Sequence, residues 1–297
     1  MGRLSGRGVL LSVAASVMFV LIPGYVRQLE PLDGLQVFAQ RVLWSIPAVL
    51  LLVTLMRQWG VFGLVLARLW REPVLLAALV LAALLMGVQW WLFVWSPLNG
   101  QMLELSLGYF LLPLTMVLVG RVFYGEHLRI LQRLAVVCAL IGVAHELWMT
   151  RAFSWVTLIP ALGYPPYFML RRWMKLDALS GFVLEMLLLA PLAIWLVQSH
   201  GPADVFVHTP SLWWLLPGLG LLSALAFGAM MAASRLLPMG LFGILGYVEP
   251  GLLFVIAVVF FGEAFTAQQL WTYGPIWLAV LLSIWDSARL LRKQARR

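Results

Sequence analysis

The chain has 297 residues, 63% of them apolar and 11% charged, with 20 basic residues against 12 acidic. A soluble domain carries about 25% charge, so the surplus apolar surface has to meet lipid, and the composition excludes an ordinary water-soluble domain. The single cysteine, Cys138, excludes an intrachain disulfide and a multi-thiolate metal site, and four scattered histidines without an HExxH pairing give no support to a metal-dependent hydrolase.

Ten continuous apolar runs follow one another, near 8–26, 36–56, 74–96, 104–123, 131–149, 154–170, 179–198, 212–233, 240–261 and 268–289. Each approaches the ~20 residues that a helix needs to cross a ~30 Å hydrocarbon core. The runs are not alternating, so they are read as helices rather than barrel strands. Arg3 and Arg7 flank the first as in a signal peptide, but its length and the nine spans behind it favour an uncleaved helix. Pro23-Gly24-Tyr25 closes it. The second carries Arg41 and, one turn on, Trp44; the third carries Gln89, Trp90 and Trp91. The fourth opens on Glu104, passes Tyr109, Phe110 and Pro113, and ends at Gly125-Glu126. Cys138 lies in the fifth and is expected to be a buried, inert thiol. The sixth contains Pro165-Pro166-Tyr167, the seventh Glu185, and the eighth Gly218 and Gly220. The ninth has glycines at 240, 243 and 246, then Tyr247, Glu249 and Pro250, and ends at Gly262-Glu263. Asp286 lies near the end of the tenth, where it is expected to face Arg289 or the membrane interface.

Basic residues set the direction of the spans. With the N-terminus in the cytoplasm, 17 of the 20 lie inside, Arg27 and Arg151 lie outside, and Arg41 falls within a span. Both termini are then cytoplasmic. The positive charge belongs to inner loops and to a lipid-facing tail, Leu290–Arg297, not to a nucleic-acid surface.

The chain also repeats itself. Pro113 precedes Gly125-Glu126 by twelve residues, and Pro250 precedes Gly262-Glu263 by twelve; the same offset relates Pro73 to Pro210 and Met102 to Met239. Arg41…Pro47 matches Glu185…Pro191 in spacing, and Pro23…Tyr25 matches Pro165…Tyr167. Five spans per copy invert the second copy, which places a binding site between two structural halves, about 1–150 and 151–297, of one integral domain.

Ten helices in an inverted five-plus-five repeat, with the Pro…Gly-Glu ending, resemble the EamA-type permeases of the drug/metabolite transporter superfamily. Gln40–Ser45, Trp90–Trp95, Met102–Leu114 and Phe260–Glu263 are similar to the RarD, or chloramphenicol-sensitivity, subgroup. The resemblance implies an all-α inner-membrane permease, its helices around a central cavity, moving a small metabolite or drug-like solute.

An ionisable side chain at membrane depth costs about 2.5–3.5 kcal/mol and marks function by default. Arg41 either snorkels to the outer headgroups or holds an anionic substrate group. Glu185 either faces substrate or balances Arg172 or Lys175. Glu249 binds a cation or the coupling proton, or is satisfied by a neighbouring helix. Glu104 complements a helix dipole or faces the cavity. Tyr109 and Tyr247 reach freed carbonyls or substrate, and Trp44, Gln89 and Trp90 complete the candidate lining. Glu126 is expected to end a helix and make lateral contacts with Arg129. No Walker A motif is present, so the expected activity is secondary transport by alternating access, with protons as candidate coupling ion. An intramembrane enzyme is the first alternative, and it has no GxSxG motif or paired intramembrane aspartates. A lipid scramblase is the second.

Overall fold

The structure is a computed structural model, and it describes residues 5–151, 153–200, 205–252 and 267–295. Among them there is no strand. The helices are α1 (Gly6–Val26), α2 (Gly34–Leu55), α3 (Trp59–Arg71), α4 (Pro73–Leu98), α5 (Met102–Tyr124), α6 (Ile130–Thr150), α7 (Trp155–Met174), α8 (Ala178–His200), α9 (Val205–His208), α10 (Leu212–Leu236), α11 (Met239–Leu245) and α12 (Ala267–Ala295). Eight helices are long and apolar enough to cross a membrane, so this is an all-helical, multi-pass membrane protein.

Two expected spans are not among those eight. The sixth is helical as α7, its last turn carrying Arg171 and Arg172. The ninth is helical from Met239 to Leu252, with a turn at Gly246 and Tyr247; its remainder, with Gly262-Glu263, lies outside the described residues. The helix α3 was not expected: its 13 residues occupy what reads as a basic inner loop.

Local chemistry sets the helix ends. Asp33 and Gln36 form a reciprocal capping box at α2, with Gln36 N donating to Asp33 Oδ1 at 2.8 Å and Asp33 N to Gln36 Oε1 at 3.3 Å. Asp177 Oδ2 accepts from Leu179 N and Ser180 N at the start of α8. The end of α5 is closed by a left-handed glycine: Gly125 takes φ 61°, open to glycine without strain, and Glu126 N donates to Gly120 O at 3.0 Å.

The chain folds into two compact units. One comprises Met1–Val20, Gln101–Pro165 and Ala232–Arg297; the other comprises Leu21–Gly100 and Pro166–Met231. In the first, α5 packs on α11 and α6 on α12. Both pairs run antiparallel. Gly120 lies against Gly240 and Phe110 against Tyr247, while Arg129 meets Asp286 and His145 meets Thr272. Lipid is as apolar as leucine, so helices associate in it through small residues and interhelical hydrogen bonds. Ala135, Ala139 and Gly142 provide such a face on α6, and a Cβ on Gly142 would stand 2.5 Å from Thr272 O. Cys138 is only partly buried, beside this core. In the second unit α2 packs chiefly on α8, and α4 packs on both. Gly218 and Gly220 of α10 give room to the Tyr25 hydroxyl and to the Trp44 backbone.

Candidate functional site

The second unit holds Arg41, Trp44, Gln89, Trp90 and Glu185. Arg41 points into the bundle. Its Nε donates to Ser223 Oγ of α10 at 2.9 Å, and its guanidinium carbon lies 4.3 Å from the centroid of the Trp90 ring on α4. That is the geometry of a cation–π contact, worth ~0.5–2 kcal/mol depending on desolvation. A snorkelling arginine would leave such neighbours for the headgroups, so the position favours the inward reading. Ser45 Oγ donates to the Arg41 carbonyl at 2.6 Å and steadies the turn that carries it. Trp90 and Gln89 are buried; Trp44 is half-buried one turn beyond Arg41.

Behind Trp90 lies an aromatic core. Its ring meets Phe182 and Phe227 edge-on at 6.4 and 6.0 Å, and those two stack at 4.5 Å. Tyr167 continues the cluster, 6.3 Å from Phe227. Edge-to-face and offset arrangements of this kind add to plain burial, so the platform under Arg41 is stiff.

Glu185 has other neighbours. It is fully buried; its Oε2 accepts from the Tyr167 hydroxyl at 2.9 Å, and its Oε1 lies 3.4 Å from Arg171 Nη1. Arg171, also buried, donates through Nη2 to Ala178 O at 3.2 Å. The balancing charge is therefore Arg171, neither Arg172 nor Lys175. Gly181 explains the choice, because its missing side chain is the space the Arg171 guanidinium fills.

The first unit holds Glu104, Tyr109, Tyr247 and Glu249. The Tyr247 hydroxyl donates to Phe110 O at 2.8 Å, one turn before Pro113. It thus meets a carbonyl, the structural option. Phe110 and Tyr247 are separated by 137 residues, and so are Trp90 and Phe227. Tyr109 lies 6.1 Å from Tyr164. Glu104 stands in the first turn of α5, where a carboxylate complements the helix dipole, and its carbonyl accepts from the Thr157 hydroxyl at 2.9 Å. Glu249 is half-buried.

The Gly-Glu motif has a definite use. Glu126 Oε1 accepts from Met239 N at 2.6 Å and Oε2 from Gly240 N at 2.8 Å, so the residue that ends α5 caps α11. Its partner is not Arg129, which pairs with Asp286 at 2.8 Å. Arg289 lies over Trp285 instead of Asp286. A second polar set joins the same helices: Thr272 Oγ donates to Glu146 Oε2 at 2.9 Å and lies 2.8 Å from His145 Nδ1. With the hydroxyl hydrogen committed to Glu146, the His145 Nδ1 is the donor there. From 129 to 146 a helix rises ~25 Å, so Arg129–Asp286 and His145–Thr272–Glu146 join α6 to α12 near opposite ends.

Reading the sequence missed Ser223, Tyr167 and Arg171. Ser223 carried one signal, a lone hydroxyl in the apolar stretch of α10; Tyr167 was visible only as part of a repeat. Among the described residues no cluster of three metal-ligating side chains occurs.

The chain is 68% identical to the chloramphenicol-sensitive protein RarD of Pseudomonas aeruginosa, over 99% of both chains. It is 36% identical to an uncharacterized transporter of Haemophilus influenzae over 93% of both. Against protein RarD of Salmonella typhi it is 31% identical, over 97% of this chain and 98% of the other. A crystal structure matches with a TM-score of 0.69 at 18% identity, covering 97% of this chain and 99% of that one, which shows the fold alone. No family model matches the chain.

Proposed function

This chain belongs to the RarD group of drug/metabolite transporters, and from that premise we propose that it is a secondary transporter of a small anionic metabolite or drug-like solute. It works by alternating access in the inner membrane, with both termini cytoplasmic. The observation that carries the substrate reading is Arg41: a permanent cation inside a helix bundle, laid on Trp90 and aimed by Ser223. A guanidinium so placed binds a carboxylate or phosphate by two parallel hydrogen bonds. Trp90, Trp44 and Gln89 are the proposed neighbours for the rest of the solute.

Ten helices in inverted halves remain the favoured architecture. Two facts support it. Helix pairs expected as repeat mates, α5 with α11 and α6 with α12, pack antiparallel. Mates also touch each other: Phe110 meets Tyr247 and Trp90 meets Phe227, each across the repeat offset. Within each unit taken by itself, a two-fold relation lets a residue meet its own mate only at that unit's axis.

Glu185 is better read as a structural charge than as a substrate ligand, because Tyr167 and Arg171 already engage its carboxylate. Glu249 stays the proposed proton carrier, beside the proline that breaks its helix. The test is uptake of carboxylated solutes into vesicles with and without a proton gradient. Arg41→Ala and Glu249→Gln are expected to abolish it at normal expression. Wild-type transport by both variants would remove the proposed site, and gradient-independent exchange would remove the coupling.

A further inference from the structure

The helix α3 is apolar on two faces. Val65 and Leu69, one turn apart, are buried against the unit. Away from them Leu64 and Trp70 are exposed, Trp70 to 88%. Thirteen residues rise only ~20 Å, short of the ~30 Å core, so the helix does not span. A short helix with an outward apolar face and arginines at its end suits the plane of the membrane interface.

Its C-terminal turn is tied to the turn between α7 and α8. Arg68 Nη1 donates to Met174 O at 2.9 Å, and its Nε pairs with Glu72 at 3.0 Å. Trp70 and Arg71 on one side of this tie, and Trp173 and Lys175 on the other, are exposed. Lys175 stands in the left-handed region, φ 52°, at the point where the chain reverses. The two acidic groups here are occupied: Glu72 by Arg68, and Asp177 by the N-terminus of α8. Two exposed cations flanked by two exposed indoles match an anionic headgroup, since tryptophan partitions to the headgroup level. We propose that the α3 end and the α7–α8 turn form a binding site for one anionic phospholipid.

The probe is phosphatidylglycerol, measured against phosphatidylcholine by native mass spectrometry of the full-length protein. Each basic residue near an anionic surface contributes about fivefold in affinity. Arg71→Ala with Lys175→Ala is therefore expected to weaken phosphatidylglycerol retention by about twenty-five-fold and to leave phosphatidylcholine unchanged. The control is Arg292→Ala with Lys293→Ala in the tail. Equal loss in the control, or no loss in the first pair, overturns the site. A spin label at Leu64→Cys, in a Cys138→Ala background reconstituted in bilayers, reads the placement of α3. Contact with oxygen dissolved in lipid supports it, and contact with a water-soluble relaxant overturns it. Neither measurement depends on transport.

Discussion

Arg41 and Glu185 hold matched places in the two copies of the repeat, six residues before Pro47 and Pro191, and their surroundings are opposite in kind. Glu185 is fully buried, with a buried countercharge and a tyrosine hydroxyl on its carboxylate. Arg41 is half-buried, with the Trp90 face and the Ser223 hydroxyl among its partners. A charge that keeps part of its exposure can still reach a solute, whereas one sealed in with its countercharge cannot. The contrast teaches that depth alone does not identify a substrate residue. The nature of the partners does.

The sharpest way to break the comparison is to treat Glu185 as if it were functional. Glu185→Ala leaves Arg171 buried without its countercharge, and breaking such a pair costs about 3–5 kcal/mol. The expected outcome is a large fall in thermal stability of the purified protein. Replacing both, as Arg171→Met with Glu185→Leu, should recover most of it, because apolar substitutes for a buried pair are often neutral. If Glu185→Ala were stable yet inactive, Glu185 would rejoin the substrate site.

Gly181→Ala tests the same pair from the packing side. The new methyl group meets the Arg171 guanidinium, and overpacking of this kind costs about 1–3 kcal/mol. The loss should be smaller in the Arg171→Met background, measured as a double-mutant cycle.

Glu126 offers an intermediate case, a carboxylate on backbone donors. Glu126→Ala releases two N–H groups at the start of α11. Hydrogen bonds to a charged group contribute about 1.5–3 kcal/mol, and Glu126→Gln, which keeps one acceptor, should lose less. Hydrogen exchange at Met239 and Gly240 should rise in both.

Much of this was legible in the chain, and the illegible part has a consistent cause. Gly125-Glu126 announced a helix end, since glycine is the usual left-handed cap, but not that Glu126 reaches Met239, which depends on α5 packing antiparallel to α11. A balancing charge for Glu185, Arg172 or Lys175, was one of two alternatives; the charge beside it is Arg171. Arg171 and Arg172 differ in helical phase, Lys175 lies in the turn beyond α7, and Gly181 makes room for Arg171. Asp286 was expected to face Arg289 or the interface, and it pairs across to Arg129 on α6. The helix α3 escaped because its 13 residues are too few to span and carry Arg68 and Arg71, so the stretch reads as a basic inner loop. Ser223 and Trp90 meet Arg41 only through tertiary packing of α10 and α4 on α2.

The smallest expected effect on stability is the most informative about function. Arg41→Ala removes the contact with Trp90 and the hydrogen bond to Ser223 at a half-buried position, where water takes over part of the loss. It leaves Ser223 able to turn its hydroxyl to a carbonyl of its own helix. Arg41→Lys keeps the charge and the contact with Trp90 but loses the planar fork. If Arg41 anchors an anionic group through two hydrogen bonds, Lys should fold like the parent and transport poorly, with the deficit in apparent affinity for the solute. If the charge alone matters, Lys should transport nearly as well as Arg, while Ala fails. If Arg41 is only a packing element, all three should transport alike in proportion to the folded protein present, and the contrast with Glu185 collapses.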